Sequence, residues 1–432
     1  MMRGCLVFGS LVIAAGCMKQ SATYCALHGA DDPENCPPGD AVATCMSNDD
    51  CSAMPGKLVC NTGTGTCVEC NTAALETSAC SGAKPVCGAD DLCRGCSSHA
   101  ECPSGACLPG GSCAMAADVA YVEGTPTPGT GTECTQAAPC DMVAKALALI
   151  PTRSYIKISG RVVEAVRIQD RRVTLLAAPG AQITSTVPDG NVLEVNGTSD
   201  VAVYDLQIGD GTARTYGVEL NAAPTASLLL QRVRIADNFH GAVFATGGRL
   251  SVLMSTICDN TKGGISVGAN AGKFDIRNNF IYANGTGTGT NSTLHGGVLI
   301  LNNVGSTLEF NTVAFNQSTG TQNHAGIACY GLTNSANGNL VYGNRDGNLG
   351  PDTATQTDGD CQLGTSVALG AGDLGFKNPN PSTPDFHLTD ASPITVRDAG
   401  GLCTPSNPLD IDGEARKPGV ACDVGADELV VP

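Results

Sequence analysis

Five stretches between Val218 and Asn344 repeat one pattern, and that repeat leaves the chain very few possible folds. Each opens on a small residue followed by an aliphatic: Gly217-Val218, Ala242-Val243, Gly264-Ile265, Gly297-Val298 and Gly326-Ile327. Each closes on an asparagine: Asn238, Asn260, Asn284, Asn316 and Asn344. From aliphatic to asparagine the spans are 20, 17, 19, 18 and 17 residues. A unit this short cannot bury an apolar face alone, so the copies must stack into a solenoid. Apolar residues alternate within the units, as in Phe274-x-Ile276, Val298-x-Ile300 and Leu308-x-Phe310, which is the period of a strand. Asparagines at one register predict side-chain amides bonded in a ladder down the stack. The expected fold is all-β, a parallel β-helix.

The repeat Leu308-Glu-Phe-Asn-Thr-Val-Ala-Phe-Asn316 is similar to those of the right-handed β-helix, pectate-lyase-like superfamily, and the resemblance runs from about Asp118 to the C-terminus. The tail Asp410-Ile-Asp-Gly-Glu-Ala-Arg-Lys-Pro418, followed by Asp423-Val-Gly-Ala-Asp-Glu428, resembles the closing segment of bacterial surface β-helix proteins. Ser392-Pro-Ile-Thr-Val-Arg-Asp-Ala-Gly400 resembles, in altered form, the Ser-Pro-Ala-Ile-Asp-Ala-Gly element that precedes that segment there. The resemblance implies a right-handed coil. Folds of this kind host lyases, hydrolases, esterases and adhesins, so it implies no single chemistry.

Residues 1–16 read as a signal peptide. Arg3 supplies the charge, and Cys5 to Ala15 is a small-or-apolar run of 11 residues, too short to span a bilayer. Ala14-Ala-Gly-Cys17 resembles a bacterial lipobox with Cys17 as the lipid-attachment site; the alternative is ordinary secretion with cleavage after a small residue. Met18 after that cysteine favours the outer membrane, by resemblance to enterobacterial sorting. No other stretch is long and apolar enough to cross a membrane. The expectation is therefore an exported protein held by lipid alone, in the outer membrane or on the cell surface. Residues 17–44, with Pro33, Pro37 and Pro38 and no periodicity, read as the lipid-anchored tether.

Cysteine use agrees with export. Of 23 cysteines, 14 fall between Cys25 and Cys113, which in an oxidising compartment means a disulfide framework. Residues 45–113 form a Cys-rich disulfide module with its own repeat. Cys45, Cys51, Cys60, Cys67 are followed by Cys70, Cys80, Cys87, Cys93, and then by a shorter Cys96, Cys102, Cys107, Cys113. Cys67-Val-Glu-Cys70 and Cys93-Arg-Gly-Cys96 also have the form of a zinc ribbon, which stands as the alternative. With Cys5 removed and Cys17 acylated, 21 cysteines remain, an odd number, and Cys258 is the candidate unpaired thiol. Cys134–Cys140 and Cys403–Cys422 are expected to tie the two ends of the β-helix domain.

That domain covers residues 118–432. Asp141 is placed to N-cap a short helix with Val143, Ala146, Leu147 and Ile150 on one face, stopped by Pro151. Such a helix would cover the open apolar end of the first coil. At about 24 residues per coil, residues 155–395 make roughly ten coils. The formal net charge of −17 repels a polyanion, and no Lys/Arg cluster offsets it, so nucleic acid is excluded as a partner.

Chemistry could gather at one corner. From closing asparagine to next aliphatic takes 5, 5, 14 and 11 residues, so two consecutive coils extend longer loops, 285–297 and 317–326. Insertions confined to one corner of a solenoid often build its binding face. Three residues before the aliphatic starts stand Thr215, His240, Lys262, His295 and His324, a column of titratable residues. Lys262, His295 and His324 are the candidate ligand-binding residues. Asp237 and Asp259 occupy equivalent positions one coil apart and, with His240, are the candidate catalytic groups. Carboxylates stacked about 5 Å apart raise a pKa or recruit a cation, and such a pair suits glycoside hydrolysis. Asp beside Asn is also ordinary turn chemistry. No cofactor is expected, with Ca2+ or a transition metal as the ions this corner could recruit.

Against catalysis, the motifs of the family's enzymes are missing. Polygalacturonase-type members combine Asn-Thr-Asp, Asp-Asp, Gly-His-Gly and Arg-Ile-Lys; the nearest matches here are Phe239-His-Gly, Leu294-His-Gly-Gly and Asp358-Gly-Asp360. Arg234, Lys262 and Arg277 are isolated, whereas a pectate-lyase mechanism needs a base beside a calcium carboxylate cluster. The expected function is that of a cell-surface lipoprotein whose non-enzymatic β-helix contacts polysaccharide or another envelope component. The alternatives are a polysaccharide lyase or glycoside hydrolase acting at the loop corner, and a purely structural spacer.

Overall fold

The computed structural model describes residues 45–52, 54–72, 80–188, 190–209, 216–285, 295–301, 305–318, 325–330, 336–346, 356–359, 361, 364–370, 372–403, 407–416 and 421–429. The expected signal peptide (residues 1–16), Cys17 and the expected tether (17–44) lie outside these residues. The chain divides between Cys113 and Ala114 into two units. Among the described residues no helix is long and apolar enough to cross a membrane.

The first unit is three copies of one disulfide pattern. Cys45–Cys60 and Cys51–Cys67 interleave, as do Cys70–Cys87 with Cys80–Cys93 and Cys96–Cys107 with Cys102–Cys113. In each copy the third and fourth cysteines face each other across an antiparallel pair: Cys60 and Cys67, Cys87 and Cys93, Cys107 and Cys113. Each of the two then bonds back to the segment before the hairpin. Both Cys-x-x-Cys pairs straddle a boundary between copies, and all four sulfurs are already in disulfides, so the zinc-ribbon alternative falls away. The buried apolar clusters of the first two copies are the half-cystines themselves, with only Met54 packed against the first.

The second unit is a parallel β-helix of three sheets. Sheet A runs from Val119–Glu123 and Tyr155–Ser159 through Arg172–Ala177, Asp200–Tyr204, Ser227–Gln231, Arg249–Leu253 and Phe274–Arg277 to Thr307–Glu309. Sheet B holds nine strands, from Arg161–Val163 through Arg234–Ala236, Thr256–Cys258 and Phe280–Tyr282 to Val367–Leu369. Sheet C holds eight, from Val166–Gln169 through Leu193–Gly197, Tyr216–Ala222, Gly241–Ala245 and Ile265–Val267 to Thr357–Gly359. From Tyr155 to Ile327–Cys329 the chain visits A, B and C in turn, the later strands of these sheets belong to B and C alone, and strands pair in parallel only with the coils before and after. The domain is a parallel β-helix. Sheet B stands nine coils deep, with Val119–Glu123 as a further level on sheet A.

The interior follows from the alternation. Val162, Ile183, Ile208, Ile235, Ile257, Ile281, Val313 and Val341 stack in register on sheet B, all buried. A strand exposes every second side chain, so their neighbours face outward and are free to carry function. Helix α1, Val143–Leu147, buries Val143, Ala146 and Leu147 over the first coil, with Ile150 beside them. Asp141 does not cap it, which corrects the sequence expectation. Met142 is the N-cap, and the Glu164 carboxylate accepts from the Val143 and Ala144 amides at 2.7 and 3.0 Å. Asp141 pairs instead with Lys145 at 2.7 Å. The capping group arrives from the first coil, 21 residues away, where a local rule does not look.

Disulfides Cys134–Cys140 and Cys403–Cys422 close the two ends, and Cys329–Cys361 joins sheet C to the segment after its last strand. Cys258 is free and buried.

Candidate functional site

The corner between sheets B and C is built on asparagine amides. Asn238 Nδ2 donates to Asn260 Oδ1 at 2.9 Å, Asn260 to Asn284 at 2.8 Å, Asn284 to Asn316 at 2.9 Å and Asn316 to Asn344 at 2.9 Å. Asn344 ends the ladder on Gln356 Oε1 at 2.8 Å. The residue before each asparagine is left-handed: Asp237, Asp259, Ala283, Phe315 and Gly343, with φ between 53° and 62°. Asp tolerates that conformation because its short polar chain bonds locally. The two candidate catalytic carboxylates are therefore the corner positions of their coils, exposed, with Ala283 and Phe315 in the same place further along. Burial raises the Asp237 pKa, and the charge of Asp259 adds to it. Arg234 lies 3.8 Å from Asp259. The pair is real, but the fold explains it without catalysis.

The histidine column is only partly assembled. His240 and Lys262 share one neighbour, the exposed ring of Phe239: the His240 ring lies 5.4 Å from it and the Lys262 ammonium sits 5.1 Å over it. His295 is buried, its ring against the backbone of Gly263, where a Cβ would meet it at 2.9 Å. His324 and most of loops 285–297 and 317–326 lie outside the described residues. Among the described residues, no set of three possible metal ligands within 4.8 Å includes Asp237, Asp259, His240 or His295. The noncysteine set, His387, Asp412 and Asp427, sits elsewhere, under the C-terminal segment.

The outer face of sheet C, beside this corner, carries residues that sequence reading missed. Arg167, Glu194, Glu219 and Phe244 stand in register on four successive coils. Glu194 and Glu219 are thus one coil apart, about 5 Å between backbones. Asn196 donates to Glu194 at 2.6 Å, and Arg167 lies 3.8 Å away. Asn191 donates to Glu219. Burial raises the Glu219 pKa, Asn191 opposes that, and the charge of Glu194 adds to it. Tyr216 stacks on Phe244 at 4.7 Å and 18°, and the His240 ring meets Tyr216 edge-on at 5.9 Å. The glutamates stand in register beside the Tyr216–Phe244 stack, and His240 links that stack to Phe239 and Lys262. Leu193-Glu-Val-Asn196 and Val218-Glu-Leu220 held the signal: each places an outward Glu between two inward aliphatics at one register.

The tail motif that carries the resemblance is structural. Arg416, 1% exposed, bonds Glu428 Oε2, Asn278 Oδ1 and the Gly425 and Ala426 carbonyls, each at 3.0 Å, and lies 4.8 Å over Phe310. Asp410 accepts from the Asp412 and Glu414 amides at 3.0 and 2.8 Å.

No protein-family model matches this chain, and no curated protein does. Among solved structures, the crystal structure of pectate lyase Pel9A is similar, with a TM-score of 0.44 and 14% identity, covering 72% of this chain and 96% of that one. The likeness is one of shape and assigns no residue a role.

Proposed function

We propose that this is an exported bacterial surface lipoprotein, anchored through Cys17, whose β-helix binds polysaccharide on the outer face of sheet C. The observation that carries this reading is the aromatic platform. Sugar rings present apolar C–H faces that stack on aromatic rings, while their hydroxyls take hydrogen bonds from flanking polar groups. Tyr216, Phe244 and the exposed Phe239 offer the faces; Lys262, His240, Asn191 and the two glutamates offer the polar partners. Purified mature protein should retain neutral or acidic polysaccharides on an affinity gel, and Phe244→Ala with Phe239→Ala should abolish retardation without unfolding the helix. Cys17→Ser should release the protein from membranes.

A second reading, glycoside hydrolysis, is favoured by one observation: the Glu194–Glu219 pair. Carboxylates in register on neighbouring coils, about 5 Å apart at the backbone, suit a retaining mechanism, with the half-buried Glu219 as acid and Glu194 as nucleophile. The same polysaccharide panel, assayed for new reducing ends and for unsaturated products, separates binding from hydrolysis and from elimination. Hydrolysis that survives Glu219→Gln would rule out this pair.

A further inference from the structure

We propose that the groove between the outer face of sheet B and the C-terminal segment is a second binding site, for a monocarboxylate with a flat apolar body. It is independent of the saccharide reading, which concerns sheet C. The groove has a volume of about 640 Å3, within the roughly 300–1,000 Å3 that small-molecule sites occupy. Its floor is the outward side of three coils, with Arg234, Thr256 and Phe280 in register and Arg232 at the corner before Arg234. Its wall is Pro384–His387 and Ile411–Asp412, brought onto the sheet from far along the chain.

The floor has hydrogen-bond donors to spare. A guanidinium carries five N–H donors and accepts nothing. Arg232 gives Nε and Nη2 to Asp205 at 2.7 and 2.9 Å, and its Nη1 donors remain. Arg234 gives Nη1 to the Cys258 sulfur at 2.6 Å, a weak acceptor, and hydrogen-bonds the Tyr282 hydroxyl, while its Nη2 is 3.8 Å from Asp259. The wall's acids do not answer this charge, because they are engaged with each other's partners. Asp412 pairs with His387 Nε2 at 2.9 Å, and Asp385 pairs with His387 Nδ1 and with Lys377 at 3.3 Å.

Between floor and wall the surface is apolar. Met254, Tyr282 and Ile411 are half-buried and line it, over a buried base where Phe386 tilts against Phe280 at 5.6 Å and meets Tyr282 at 5.3 Å and 62°. A planar carboxylate matches the fork of a guanidinium. A flat ring body fills the aromatic and aliphatic remainder. A cation would meet the two arginines, and a neutral polyol would leave their donors without a charged acceptor.

The test uses 2-naphthoate and the intact mature protein. The chain contains no Trp, so naphthalene fluorescence is read without that background. Saturable binding is expected, at least tenfold tighter than that of uncharged 2-naphthamide. Arg234→Met should weaken it at least tenfold. Thr256→Glu places a carboxylate next to Arg234 on an outward strand position and should weaken it as much, so the result does not hang on one variant folding. The proposal is overturned if wild-type protein shows no saturable naphthoate binding, if acid and amide bind equally, or if either variant folds and binds naphthoate unchanged.

Discussion

Asn284 shows how a single amide holds three coils. Its Nδ2 donates to Asn316 and to the Ile257 carbonyl at 3.0 Å, while its Oδ1 accepts from the Asn260 amide at 3.2 Å and from the Asn260 side chain. It is fully buried. Asn284→Ala strands partners on both sides, and unmet buried groups cost about 1–3 kcal/mol each; a loss of about 2–4 kcal/mol in urea unfolding is expected. Asp237→Asn, by contrast, keeps a residue that tolerates the left-handed corner and should change stability by less than about 0.5 kcal/mol. Lys157 is the opposite case, a buried outward chain whose ammonium meets no hydrogen-bond partner. Burial lowers its pKa to about 7. The unfolded chain holds that proton up to the ordinary lysine value, so folding expels a proton between these limits and stability rises with pH across that window. Below about pH 7 the lysine is charged in both states and the penalty is constant. Lys157→Met should raise stability at neutral pH by on the order of a few kcal/mol and flatten the rise above it. Thermal unfolding from pH 6 to 10 checks both.

At the scale of elements, corners and caps matter more than strands, because the strands are alike. A second ladder lies on the corner between sheets A and B. Asn279 donates to Asn311 at 2.9 Å and Asn311 to Asn339 at 2.9 Å, with Ser255 at one end and Ser366 at the other. Its signal was in the sequence: Ser255, Asn279, Asn311 and Asn339 each stand five residues before a closing asparagine. The five-residue interval is one short strand plus a turn, so both corners share the same device. The C-terminal segment is held differently, by Arg416. Removing that guanidinium leaves Glu428 buried without its partner, and breaking a buried pair costs about 3–5 kcal/mol. Arg416→Met should therefore loosen residues 407–416 and 421–429 in amide exchange while sheet C keeps its protection. Loss of protection throughout the helix would show that the segment is part of one cooperative unit.

At the scale of the whole molecule, the two units are stabilised by different physics. The β-helix has a continuous aliphatic core along its length, while the module's buried clusters are mostly half-cystines. Reduction under mild conditions should unfold residues 45–113 and leave the strand signal of the β-helix, since small domains without a core depend on their cross-links. Circular dichroism with limited proteolysis measures it, and loss of the strand signal at the same reductant concentration would contradict it. Cys258 should resist alkylation until the helix unfolds, because burial pushes its thiol up to about 12.

Stacking, strand type, the first ladder and the disulfide repeat were legible because each is a local period, and local periods survive in one dimension. Units of about 24 residues with an alternating apolar set have one way to hide that set. What the period does not carry is the outward partner of each side chain. Glu194 meets Glu219, and Tyr216 meets Phe244, only once the register of unequal coils is set in space. The Asp237–Asp259 pair stood out in sequence because it abuts the asparagines, yet the same adjacency makes it a corner. The docking of the C-terminal segment is less legible still: Asn278 bonds Asn407 across 129 residues, and no periodic signal links the two. Contacts that close over such a distance depend on where the chain turns back, which tertiary packing alone decided.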